Sequence, residues 1–204
     1  MTWFDRIILL LTGLTAIYIL FYFYKRYQKD KALYDVYYML GFGVLLVSGL
    51  LLIFFGWDIL ASPYVLTVAS LIPLGISMGL MNQFQPDYKK IYSWFALVGL
   101  LAIAVTSIGG MGLKKVAVPV FHGIAGLIIF LLPFFTKDAK KGFWLVGIGG
   151  ALIGLGGIAL AFLVSGAQLL FFSQEYVLMI LAPLLLLMTL AFTFGFRKDI
   201  GTDK

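Results

Sequence analysis

Seven apolar stretches, each about as long as a bilayer crossing, follow one another at about residues 7–24, 36–56, 63–81, 91–108, 116–135, 143–165 and 176–196. A crossing takes roughly 20 apolar residues, and it must be helical because the hydrocarbon core offers backbone groups no partner outside their own segment. The expected fold class is therefore all-α: a polytopic membrane protein with a seven-transmembrane-helix bundle. The spans use up most of the 204 residues, so the chain is read as a single transmembrane domain over 1–204. With 62% hydrophobic and 12% charged residues, it lies far from soluble domains, which are about 25% charged. The absence of cysteine excludes disulfides, thiolate metal sites and thiol nucleophiles.

The basic residues set an orientation. With seven spans, loops 1, 3 and 5 and the C-terminal tail share one side. They hold twelve of the 15 lysines and arginines, among them Lys25, Arg26, Lys89, Lys90, Lys140, Lys141 and Arg197. Only Arg6, Lys114 and Lys115 fall on the other side. The positive-inside rule then predicts an N-terminus outside, a cytoplasmic C-terminus and a multi-pass protein of the cell membrane. Lys25 and Arg26 follow the first apolar stretch instead of preceding it, which reads as an uncleaved span. The same topology accounts for the net charge of +6, so no nucleic-acid partner is expected. Tyr18, Tyr22, Tyr24, Tyr27, Tyr34, Tyr37 and Tyr38 crowd the predicted inner ends of the first two helices and read as an interfacial belt.

Residues 142–166, GFWLVGIGGALIGLGGIALAFLVSG, stand out among the spans. At about 100° per residue, Gly147, Gly150, Ala151, Gly154, Gly157, Ala161 and Ser165 share an arc of roughly 120°. Gly142, Gly149 and Gly156, spaced by seven, lie opposite. Small residues let membrane helices approach closely. The stretch is read as a thin central helix gripped on two sides, with its second face the first candidate for a partner subunit, a lipid or a flat cofactor.

His122 is the one strongly titratable side chain well inside a span, and polar residues at that depth are functional candidates. Pro119, His122, Gly123 and Gly126 share a helix face, so a ligand or quinone contact at His122, Gly123 and Gly126 is the candidate site. One histidine cannot make a bis-histidine haem site, no metal site is expected, and the sequence names no cofactor. Pro73, Pro119, Pro133 and Pro183 predict kinks. The literal G-x-S-x-G at Gly75, Ser77 and Gly79 falls inside an apolar helix rather than at a strand–turn–helix elbow, and reads as a small-residue contact. Asn82, Gln83, Asp87, Lys89 and Lys90 read as a wetted helix end.

No Asp, Glu, Lys or Arg lies near the centre of a predicted span, where proton relays and voltage sensors place such groups. The two-carboxylate, zinc-protease and phosphate-loop patterns are missing, so no enzyme is expected. In topology alone the chain resembles rhodopsin-like proteins, small sugar transporters and the membrane half of seven-helix sensors. Residues 176–196 hold no lysine for a retinal Schiff base, and the first two helices lack the prolines of the sugar transporters. The leading expectation is a non-catalytic integral membrane subunit or scaffold, in the lipid bilayer with membrane-protein partners or as a homo-oligomer. The alternatives are a carrier or channel for a neutral or apolar solute, and a sensor signalling to a cytoplasmic partner.

Overall fold

A computed structural model describes residues 1–136, 139–165 and 174–200. Among them there is no strand. The helices are α1 (Trp3–Asp30), α2 (Leu33–Phe55), a 3-10 turn (Trp57–Ala61), α3 (Pro63–Ala69), α4 (Leu71–Phe84), α5 (Lys89–Ile108), α6 (Lys114–Phe135), α7 (Trp144–Ser165) and α8 (Gln174–Ile200). Six helices are long and apolar enough to cross a membrane, counting Pro63–Phe84 as one. α7 is a further apolar helix of 22 residues.

Helix ends reach past the apolar stretches because backbone hydrogen bonding continues into polar sequence where a cap is available. α1 begins at Trp3 rather than near residue 7. Thr2 Oγ1 accepts the Asp5 N–H at 3.2 Å, and the Asp5 carboxylate accepts the Thr2 N–H at 2.7 Å, a reciprocal capping box. Its far end closes at Lys31, a non-glycine residue at φ 52° whose N–H donates to the Tyr27 carbonyl. The third span is broken between α3 and α4 at Ser70. Pro73 explains the position: it has no N–H for the Ala69 carbonyl four residues back, and its ring crowds that carbonyl. α6 and α8 continue as helices through Pro119, Pro133 and Pro183.

The helices form a closed ring. α1 packs on α2 and α8, α2 on α4, α4 on α6, α6 on α7, and α7 on α8, with α5 against α3, α4 and α6. Among the described residues, the close backbone neighbours of α7 are α6 and α8. It is gripped on two sides as expected, but within the ring wall and not at the centre.

Among the described residues, the largest cluster of buried apolar side chains lies where α1 and α8 end and α2 and α7 begin. Phe23, Tyr38, Phe42, Phe143, Phe192 and Phe196 are all fully or almost fully buried there. Tyr38 stacks on Phe23 with ring centroids 4.9 Å apart and tilts against Phe196 at 4.6 Å. Tyr38 therefore departs from the interfacial belt. Gly79 of α4 makes the room, since any Cβ there would overlap the Tyr38 ring, and Gln83 Oε1 accepts the Tyr38 hydroxyl at 2.9 Å. Gln83 thus serves a core residue, whereas the neighbouring Asn82 amide donates to the Met78 carbonyl at 3.0 Å. Above this core, Arg26 and Asp35 form an ion pair at 2.7 Å with the Asp35 side chain fully buried. The Arg26 guanidinium lies 5.0 Å from the Tyr34 ring centroid and 5.7 Å from that of Phe23, within cation–π range.

Gly75 and Gly79 do serve packing. A Cβ on Gly75 would fall 3.0 Å from the Gly41 amide nitrogen and from the Tyr37 carbonyl, so α2 and α4 meet backbone to backbone. Ser77, between them, is fully buried. Its hydroxyl donates to the Pro73 carbonyl at 2.6 Å and accepts the Tyr92 hydroxyl at 2.7 Å.

Candidate functional site

The site is built from the register between α6 and α7. The two helices run antiparallel, and glycines of α7 receive groups of α6 in turn. Gly147 takes the Phe134 ring, Gly150 lies on the backbone of Ile129 and Phe130, and Gly157 takes the His122 imidazole. At Gly150 the backbones are so close that an added methyl would fall only 2.5 Å from the Phe130 amide nitrogen. Between the second and third contacts, small residues stand on both helices. Gly126 of α6 and Gly154 of α7 each open onto space, with nothing within 4 Å of where a Cβ would stand. Glycine against glycine brings no ring into the gap, and a void follows.

That void is part of a cavity of about 730 Å³ between α3, α6 and α7. Its walls are almost wholly apolar or small: Leu66 and Ala69 of α3; Val118, Pro119, Gly123, Gly126, Leu127 and Phe130 of α6; Gly150, Ala151, Gly154, Leu155, Gly157 and Ile158 of α7. The polar exceptions are Ser70, His122, Lys114 and Lys115. Ser70 sits at the break made by Pro73 and spends its hydroxyl proton on the Thr67 carbonyl at 2.6 Å. Lys114 and Lys115 open α6, so they mark the polar end of the cavity.

His122 reaches across to α7. Its ring hydrogen-bonds to the backbone of Ile153. Its Nε2 atom is buried without a hydrogen-bond partner, and it lies 2.7 Å from the position of a Cβ on Gly157. A side chain at residue 157 would therefore push the imidazole off this wall. Among the described residues no group of three histidine, cysteine or acidic side chains converges to hold a metal ion.

No protein-family profile matches the chain, and no curated protein or solved structure matches it. The function must therefore be argued from the site.

The structure brings His122, Gly123 and Gly126 together with Gly150, Gly154 and Gly157 on one cavity. The sequence placed these on two unrelated helix faces, and only the α6–α7 register joins them. The other candidate face goes elsewhere. Gly149 takes the Phe192 ring of α8, and a Cβ on Gly156 would lie 3.5 Å from Leu184 of the same helix. Gly142 precedes α7 at φ 101°, a conformation that favours glycine, so it forms the turn into the helix and not part of the face. The side chains of Ala161 and Ser165, the loop residues Lys137 and Asp138, and Gly166 lie outside the described residues. Ser70, Ala69 and Leu66 were not foreseen as wall residues. Pro73 was the available signal, because its missing donor breaks the third span beside the cavity.

Proposed function

We propose that this chain is a seven-helix, multi-pass protein of the cell membrane, N-terminus outside and C-terminus cytoplasmic, that binds an apolar small molecule between α3, α6 and α7. α7 supplies the seventh crossing, and the charge asymmetry supports the orientation. The observation that carries the binding role is the cavity at Gly126 and Gly154. Ligand sites are concave, mostly apolar, roughly 300–1,000 Å³ in volume and marked by a few placed polar groups. A half-open cavity of about 730 Å³ with His122 among its wall residues answers that description. The activity that fits is a carrier or receptor for a neutral or apolar solute taken up from the bilayer.

The scaffold reading drew on the glycine-rich helix and the lack of any charged site, with the second glycine face as the first candidate for a partner. Gly149 and Gly156 turn that face to Phe192 and Leu184 within the chain, so a partner helix would have to use the outer surface of the ring instead.

The test is to purify the chain from its native membrane, extract it and identify bound molecules by mass spectrometry. A second preparation carries Gly126→Leu and Gly154→Leu, which fill the cavity where no atom stands within 4 Å. The wild type should retain a molecule that the filled variant, still folded, lacks. Identical extracts from both would end the proposal.

A further inference from the structure

Resting on that reading of the cavity, we propose that its occupant is a single long hydrocarbon chain ending in a carboxylate. The chain lies along α6 and α7, and its head group stays at the mouth with Lys114 and Lys115. The walls ask for hydrocarbon, because the polar groups deep among them have nothing to offer a ligand. His122 Nε2 is shut against Gly157, and the Ser70 hydroxyl is spent on the Thr67 carbonyl. The mouth asks for an anion. Lys114 is partly buried and Lys115 exposed, and both line the cavity. Among the described residues, no acidic side chain lines it, and neither ammonium group has an ion-pair or hydrogen-bond partner. The α6 backbone does not compete for the head group, since the N–H groups of Lys114, Lys115 and Val116 are spent on the carbonyls of Met111, Gly112 and Leu113. Orientation does not account for these lysines either: with Arg6, they are the basic residues that go against the positive-inside rule. Length fits one chain. A bilayer core of about 30 Å holds two leaflets, so one acyl chain takes about 15 Å. From Lys115, about 16 Å of helix at 1.5 Å per residue leads to Gly126. There the gap towards Gly154 stands open, and only the lack of two glycine side chains makes its room, which suits one chain. Leu127, Leu155 and Ile158 line the cavity and are each half or more exposed, so a chain can enter sideways from the surrounding leaflet.

The experiment measures Kd on the full chain in phosphatidylcholine nanodiscs, with empty nanodiscs correcting for uptake by the lipid. The probes are palmitate, hexadecanol and hexadecyltrimethylammonium, which share one chain and differ in head charge. Measurement at about pH 9 keeps the carboxylate ionised and the lysines protonated. Palmitate should bind about tenfold tighter than hexadecanol, as two partly exposed charge pairs allow, and the ammonium weakest. Lys114→Gln with Lys115→Gln should bring the palmitate ratio to about one while hexadecanol binds as before; an unchanged ratio would overturn the role of the lysines. Equal affinities of palmitate and hexadecanol for the wild type, with Gly154→Leu blocking both, would overturn the anionic head and leave the cavity reading standing. Absence of any binding that Gly154→Leu can remove would overturn both. Dipalmitoyl phosphatidate should displace labelled palmitate poorly. Displacement as effective as that by unlabelled palmitate would assign the site to a two-chain bilayer lipid and overturn the single-chain proposal. The wild-type ratios decide the matter even if the lysine variant fails to fold.

Discussion

Gly150 of α7 lies on the Phe130 backbone of α6 so closely that a methyl group on it would come within 2.5 Å of the Phe130 amide nitrogen. Four residues along the same face, Gly154 meets nothing within 4 Å. The two glycines look alike in sequence and should respond to mutation in opposite ways. Gly150→Ala forces apart two backbones that cannot rotate out of the way, and overpacking of this kind costs about 1–3 kcal/mol. Gly154→Ala should be neutral or stabilising by up to about 1 kcal/mol, because alanine favours the helix. Thermal unfolding of the detergent-solubilised variants, followed by size-exclusion chromatography, would show the split. Equal melting temperatures would contradict the α6–α7 register.

The buried Arg26–Asp35 pair makes a second prediction. Asp35→Ala leaves a largely buried guanidinium without its carboxylate and should cost about 3–5 kcal/mol, while Arg26→Met with Asp35→Leu should recover most of that loss. A double-mutant cycle on unfolding in mixed micelles measures the coupling. Purely additive single effects would mean that the two charges do not act as a pair.

Tyr92 and Ser77 should also respond unequally. Tyr92→Phe removes a donor, yet Ser77 keeps its bond to the Pro73 carbonyl, so the cost should stay near about 1 kcal/mol. Ser77→Ala strands a buried tyrosine hydroxyl and should cost about 1–3 kcal/mol. Unfolding midpoints should therefore fall further for Ser77→Ala. The reverse order would show that the Tyr92 hydroxyl is satisfied elsewhere.

The orientation can be tested because the chain has no cysteine of its own. Asp87→Cys, between α4 and α5, should react with an impermeant maleimide only after the membrane is opened. Met111→Cys, between α5 and α6, should react in intact cells. Both residues are exposed in the structure. Labelling of the pair in the opposite sense would invert the topology, and labelling of both from one side would break the alternation.

Much of the framework could be read in advance from the residues. Stretches such as 91–108 and 116–135 had to be helical, because apolar length and backbone hydrogen bonding in lipid are properties of the segment itself. The helices α5 and α6, Lys89–Ile108 and Lys114–Phe135, follow those limits closely. The suspicion attached to His122, Gly123 and Gly126 had the same local origin, in a polar side chain and a glycine face within one span. Tyr38 shows where such reasoning stops. A tyrosine near a helix end suits the headgroup layer, and only the absence of a side chain at Gly79, on a helix distant in sequence, turns it into core.

By itself, then, the sequence determined the helical class, the apolar lengths and the presence of glycine faces on residues 142–166. Each depends on composition or on spacing within one helix. What each glycine face meets was decided only by the tertiary structure. Gly150 against Phe130, Gly157 against His122 and Gly149 against Phe192 are closed contacts, while Gly126 and Gly154 enclose space. The physical reason is register. A glycine removes a side chain wherever it stands, but whether the vacated volume receives a ring, a backbone or a ligand depends on the residue that a neighbouring helix brings to the same level.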